Sequence, residues 1–509
     1  MRANKEEVAD LLLRLRGQGV TVWSEGGLLR YQAPAGTLAR NDLDRLRALK
    51  AEIAAYLEGL PDDTSRIPSR AATDRVPLTS AQKWLWNFST PETCSYRVCF
   101  SAMRISGPLN LEALRRSLYA VVCGHESLRT RIVTVDGLPS QIVDAPHERE
   151  LKIVDLNGHE AAAADYIMNL VREPVHLSEG PLFDHQLLKL SNNDHILVVL
   201  LDHLISDGVS QRLVCTDLWS AYSQEDPRLL ADRQPQFADY AVWQHNTQTT
   251  WRATHGSYWD TRLMGAKRVH AFQVAPGRTL RTGRYRECST TFTGSVVSAL
   301  TEVCRKERTI LPMALLSAYA ALLMRWCSVT DVVIPFITSG RMMRQLETVV
   351  GCFACPLFLR VELSPADSFQ DLLKRVASEY GRACAHYDFG WLASLTPPPP
   401  FARNGPFNWL PEELEVAVKN IPGKGPEQIR VTPFEIEFCA DDNPWTDQWD
   451  VEPALTMVKR EQDVFCRVVY SADRAEAADV QRFCRNLDFF AESLAYRPAG
   501  RISEILCIP

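Results

Sequence analysis

Six consecutive apolar residues, Ile196 to Leu201, run directly into Asp202-His203-Leu204-Ile205-Ser206-Asp207-Gly208-Val209-Ser210. A run of that length, made of leucine and β-branched residues and stopped by Asp-His, predicts a strand buried on both faces. Polar chemistry therefore begins where the strand ends. His203 emerges at its tip, with Asp207 four residues on and Gly208 directly after it. A glycine there lets the backbone approach a substrate or a partner strand. A histidine mounted in this way fits a general base, while the same residues also read as an ordinary hydrogen-bonded histidine before an Asp-Gly turn.

The first sixty residues carry a different pattern. Val8, Leu11, Leu12 and Leu15 recur at helical spacing up to Gly17. Gly19 to Trp23 and Leu28 to Tyr31 then flank Glu25-Gly26-Gly27, a hairpin signal. A second helix follows, capped by Asn41 or Asp42, with Leu43, Leu46, Leu49, Ile53 and Leu57 as its apolar stripe. A two-stranded ribbon leaves strand edges that can accept an extended peptide. Residues 61–75 are polar and poor in apolar side chains, as a linker should be. Beyond Val76 helices and strands interleave. Leu111 to Val122 reads as an amphipathic helix, Leu311 to Met324 as an apolar, alanine-rich one and Val332 to Phe336 as a buried strand. The fold class expected is α/β (α+β), in layers. Pro397 to Pro400 reads as a stiff loop.

Composition narrows the picture. A chain of 509 residues exceeds what one ordinary core supports, so two to four domains are expected. With 56 Lys+Arg against 62 Asp+Glu and a net charge of −6, there is no basic footprint for nucleic acid. No apolar run approaches the roughly 20 residues that span a bilayer, so no membrane partner is expected. Fourteen cysteines without a signal peptide predict reduced thiols in a cytoplasmic protein, acting as small core residues. A monomer is expected, with no metal and no bound cofactor.

The order of the segments carries a resemblance. Residues 1–60, with Val22, Trp23, Leu29, Arg30 and Tyr31 on the ribbon, resemble the β-hairpin docking domains of nonribosomal peptide synthetase and hybrid polyketide subunits. Those domains receive a short C-terminal tail from an upstream carrier protein. The rest of the chain resembles nonribosomal peptide synthetase condensation domains. Ser80-Ala81-Gln82 with Leu85-Trp86, His125 to Thr130, Asp202 to Gly208 and Asp239 to Gln244 match the family's successive motifs. Gly340-Arg341, Val350 to Phe353 with Arg360, His386-Tyr387-Asp388, Tyr470 to Asp473 and Arg501 to Glu504 complete the series.

That resemblance implies two chloramphenicol-acetyltransferase-like lobes in a V, about 76–250 and 251–509, around a tunnel. A carrier-borne phosphopantetheine thioester would supply the acyl group, and an amine or hydroxyl, free or carrier-bound, would accept it. His203, Asp207 and Gly208 take the catalytic positions, with Asp202, Ser206, Arg341 and Arg360 in support and Ser80, Gln82 and Cys355 along the substrate tunnel. Asp207 should pair with an arginine, Arg341 being the first choice and Arg360 the second. Gly208 should offer a backbone N–H near the reacting centre.

The chain departs from the family at Asp202, where a first histidine is usual, and at Cys355, where an asparagine is usual. Asp202 either faces away from the tunnel in a structural part or raises the basicity of His203. Asp202, Asp207 and Ser210 also fit the spacing of heterocyclising relatives. Asp388-Phe389-Gly390-Trp391 resembles coenzyme-A-dependent acyltransferases. A condensation-like module that only recruits partners is a further alternative. With no adenylation or carrier domain visible, a free-standing condensation enzyme, with chain release as one outcome, is the reading adopted.

Overall fold

In the computed structural model the described residues are 8, 11, 15, 20–25, 28–32, 40–59, 67–71, 75–88, 99–173, 175–223, 235–272, 285–364, 366–387, 390–392, 394–410, 419–422, 428–434, 436, 452–505 and 507. The predicted buried strand is present as Asp194–Leu201 and lies inside a six-stranded mixed sheet. It pairs antiparallel with Cys99–Ser106 on one side and Phe183–Ser191 on the other, Leu201 standing opposite both Cys99 and Phe183. Alternate residues point to opposite faces. Leu197, Val199 and Leu201 join the main core with Leu114, Leu118, Val214 and Leu218. Ile196, Val198 and Leu200 join a second core with Ala163, Ile167 and Val171 of the helix Ala161–Arg172. Helices cover both faces, which is why the strand reads as an unbroken apolar run. Each such side chain taken from water contributes roughly 1.5–3 kcal/mol.

The second half builds another six-stranded sheet, in the order Tyr285–Phe292, Asp463–Ser471, Ala454–Arg460, Phe407–Leu410, Asp331–Thr338 and Cys355–Glu362. The helix Leu311–Trp326 is buried almost all round, as its composition predicts. Among the described residues no single helix is long and apolar enough to cross a membrane. The two halves are not divided cleanly in sequence. The helix Phe237–Arg262 runs straight through position 250, where the lobes were expected to separate. Strands Lys419–Pro422 and Gln428–Pro433 return to the first sheet, Val431 pairing with Ile105. A strand donated in this way ties the halves together by backbone hydrogen bonds.

The N-terminal unit has the expected ribbon, Thr21–Glu25 against Leu28–Gln32, with Trp23 opposite Arg30. Its second helix is split at Leu49 into Arg40–Ala48 and Lys50–Gly59. Val8, Leu11, Leu15, Val20, Leu46 and Ile53 form its own small core, with Val22 and Leu29 packed against it. Arg30 and Tyr31 are exposed. The side chain of Trp23, linker residues 61–66 and 72–74, and Asp388-Phe389 lie outside what is described.

Candidate active site

The turn after Leu201 is built from its own side chains. Asp202 is fully buried, its backbone N–H donating to Leu182 O (2.8 Å) and its carboxylate accepting from Leu204 N (2.8 Å). That contact two residues on is an Asx-turn, which aspartate forms and an apolar residue cannot. Ser206 Oγ donates back to the Asp202 carbonyl at 2.9 Å. His203, half-buried, places Nδ1 2.7 Å from Ser206 O. A carbonyl oxygen only accepts, so Nδ1 carries the proton and Nε2 of the neutral ring keeps its lone pair.

Asp207 caps the helix Gly208–Ser223, its carboxylate accepting from Ser210 N at 2.8 Å. The same carboxylate holds Arg341 in a two-pronged pair at 2.7 and 3.1 Å and accepts from Phe353 N and Ala354 N, both at 3.1 Å. Burial pushes the Asp207 carboxyl upward, but the Arg341 charge and these hydrogen bonds more than offset it, leaving it below the usual range. Asp207 is thus a fixed anion holding the second half of the chain against the histidine turn. Ser210 adds to that junction. Its Oγ accepts from Arg341 (2.8 Å) and Gly351 N (2.9 Å) and donates to Gly351 O (2.8 Å). Ser127 Oγ donates to Val350 O at 2.7 Å. The Asp202, Asp207 and Ser210 spacing therefore serves turn and junction here.

Arg360, the second-choice partner of Asp207, pairs with Asp331 at 2.7 Å instead. Gly208 is exposed at the first position of its helix, and a Cβ built there meets nothing within 4 Å among the described residues. The residues expected along the tunnel are packed inside protein. Ser80 N donates to Gln244 Oε1 at 2.8 Å. Gln82 is 0 % exposed and bonds to Leu204 O. Cys355 lies 2.7 Å from the Tyr387 hydroxyl. Cys352 and Cys355 have a Cys-x-x-Cys spacing, yet both are free and buried. Burial and the Asp207 charge push the Cys352 thiol well up, so it is not a thiolate.

Pattern reading missed three contributors, Ser127, Ser210 as a junction residue, and Gln82 as a partner of the turn. The Thr79-x-x-Gln82 spacing, a capping-box signature, was the only local signal for any of them. Among the described residues no group of three or more His, Cys, Asp or Glu could hold a metal ion.

Two helix-covered mixed sheets, with a histidine turn locked at their junction, define a chloramphenicol-acetyltransferase-like α/β chain. It belongs to the condensation-domain family, whose profile matches residues 72–509, and residues 8–58 match the TubC N-terminal docking domain. Malpibaldin synthetase of Mortierella alpina is 31% identical over 389 residues, 70% of this chain and 7% of that relative. The chain thus spans a small part of such a synthetase. The X-domain from teicoplanin biosynthesis superposes with a TM-score of 0.74 at 23% identity, covering 87% of this chain and 100% of the other. The first condensation domain of the calcium-dependent antibiotic synthetase, solved with a substrate analogue, gives 0.63 at 18%, covering 86% and 100%.

Proposed function

We propose that this chain is a condensing acyltransferase that moves an acyl group from a carrier-bound phosphopantetheine thioester to an amine or hydroxyl, forming an amide or ester. The observation that carries this reading is the 2.7 Å contact from His203 Nδ1 to Ser206 O, which leaves Nε2 as the basic nitrogen. The acceptor nitrogen or oxygen attacks the thioester carbonyl, and Nε2 takes the acceptor proton. The C–S bond then breaks and the proton passes to the departing pantetheine sulfur. A thioester already has a good leaving group, so orientation and one proton transfer are what the protein must supply. The Gly208 N–H, at a helix N-terminus, is suited to a developing oxyanion. The phosphopantetheine arrives on the carrier and is substrate, not resident cofactor. The docking-domain match supports delivery of an upstream carrier by a short tail laid on the ribbon within residues 1–60.

The test is intact-mass analysis of an acyl-loaded carrier incubated with the protein and a panel of amines, alcohols and aminoacyl carriers. Acyl loss matched by an amide or ester product, absent with folded His203→Ala, supports condensation and identifies the acceptor class. Tight carrier binding without transfer would replace this reading with a recruitment module. Deleting residues 1–60 should slow transfer from a tailed carrier and spare a tail-less one.

A further inference from the structure

The carbonyl of Leu204, one residue past His203, is held from a distant helix. Gln82 Nε2 donates to it at 2.7 Å, across 122 residues of sequence. The whole Gln82 amide is committed. Its Oε1 accepts from Thr79 N at 2.9 Å, and Nε2 also donates to Gln141 Oε1 at 3.1 Å. Gln141 is itself oriented by donating to Pro77 O at 2.8 Å. Thr79 Oγ1 in turn accepts from Gln82 N at 3.1 Å, which closes a capping box on the helix Ser80–Phe88.

Capping alone does not call for glutamine. Glutamate at this position would accept from Thr79 N equally well, but a carboxylate has no N–H to give Leu204 O or Gln141 Oε1. The two N–H groups therefore do something other than cap the helix. They fix the peptide plane after Leu204, inside the turn whose next carbonyl but one, that of Ser206, holds His203 Nδ1. A buried carbonyl that loses its donor must find another, and in a five-residue turn the movement is passed to its neighbours.

We propose that Gln82 is a positioning residue for His203, acting through the Leu204 carbonyl to keep Ser206 O on Nδ1 and Nε2 free. This rests on the reading of His203 as the base. The test uses the full chain with histidine labelled with nitrogen-15, in wild type, Gln82→Glu, Gln141→Leu and Thr79→Ala. It reads the His203 ring-nitrogen shifts, the pH–rate profile of acyl transfer and the thermal midpoint.

Gln82→Glu turns a buried carboxylate towards the Leu204 carbonyl and should lower the thermal midpoint. In the folded protein it should reduce the Nδ1–H tautomer of His203 and lower kcat on the order of tenfold to a hundredfold with the donor KM unchanged. Thr79→Ala should lower the thermal midpoint and leave tautomer and kcat alone. Gln141→Leu frees one of the two N–H groups and should move the same signals less far. It decides the matter if Gln82→Glu does not fold. Wild-type shifts and kcat in folded Gln82→Glu, or in Gln141→Leu where that variant decides, would overturn the proposal. Absence of transfer by the wild type would count against the condensing reading alone, because the ring-nitrogen shifts still report on positioning.

Discussion

Arg341 reaches Asp207 across 134 residues and binds it with two nitrogens, and the two side chains are only 3 % and 2 % exposed. The pair joins the loop after the second lobe's strand Asp331–Thr338 to the cap of the helix that follows the histidine. Removing one partner strands a buried charge. Arg341→Ala or Asp207→Ala should each cost about 3–5 kcal/mol in urea unfolding. The double variant should cost less than the sum, because the second change removes the charge the first left unpaired. Additive losses would mean the two residues do not act as a pair.

How much of this was legible in the sequence follows from how local each feature is. The buried strand, the histidine after it and the Asp-Gly turn are contiguous, so periodicity and turn chemistry expose them. Arg341 was readable through the family motif, but no local rule separates it from Arg360, whose partner Asp331 stands on the neighbouring strand. The donated strands Lys419–Pro422 and Gln428–Pro433 are short, and each ends in proline, so they carry no alternation long enough to declare a sheet. Gln82 and Ser210 were visible as residues. Their partners, Leu204 and Gly351, become visible only when the chain has folded.

His185 is a buried histidine whose two ring nitrogens have no hydrogen-bond partner among the described residues. Burial pushes it down to about 4, Asp184 opposing this and nearby Arg149 adding to it. Its folded value lies below the unfolded one of about 6.5, so the unfolded chain binds more protons between those values. The stability tied to neutral His185 is therefore complete above that upper value and lost as pH falls towards 4. Urea unfolding of the wild type should lose roughly 2 kcal/mol between pH 6.5 and 5 through this group, and His185→Leu should lose that much less. Identical pH slopes would show that His185 is not the group responsible.

Asp488 should act with the opposite sign. Burial raises its carboxyl to about 6 despite a hydrogen bond from Thr290, and Glu492 adds to the rise. A folded value above the unfolded one makes this contribution complete below about 3.8 and lost as pH rises through 6. Asp488→Asn keeps an acceptor for Thr290 and should melt higher than wild type at pH 8, with the gap closing near pH 4. A lower melting point at pH 8 would contradict this.

Asp202 offers a choice between geometry and charge. Its carboxylate accepts from Leu204 N, a bond that the amide oxygen of asparagine can also make. Asp202→Asn should therefore keep fold and transfer rate, whereas Asp202→Leu should lose about 1 kcal/mol of stability along with much of the activity. A steep fall in rate for the asparagine variant, with a shifted pH–rate profile, would instead assign Asp202 an electrostatic effect on His203.

Among the described residues nothing gives Gly208 a reason to be glycine. It stands at the first turn of Gly208–Ser223, outside the left-handed region, with open space where a Cβ would be. Alanine favours a helix over glycine by up to about 1 kcal/mol, so Gly208→Ala should melt at the wild-type temperature or slightly above it. Gly208 follows Ser206, the last residue of the His203 turn, by two positions, and the proposed reaction puts the thioester carbonyl at its backbone N–H. A methyl group there should lower kcat/KM for acyl transfer, and Gly208→Val should lower it further, with bulky acceptors suffering before small ones. Comparing the two variants against a series of amines of increasing size reads this directly. Equal rates for wild type and Gly208→Ala across the series would show that neither substrate comes close to this backbone.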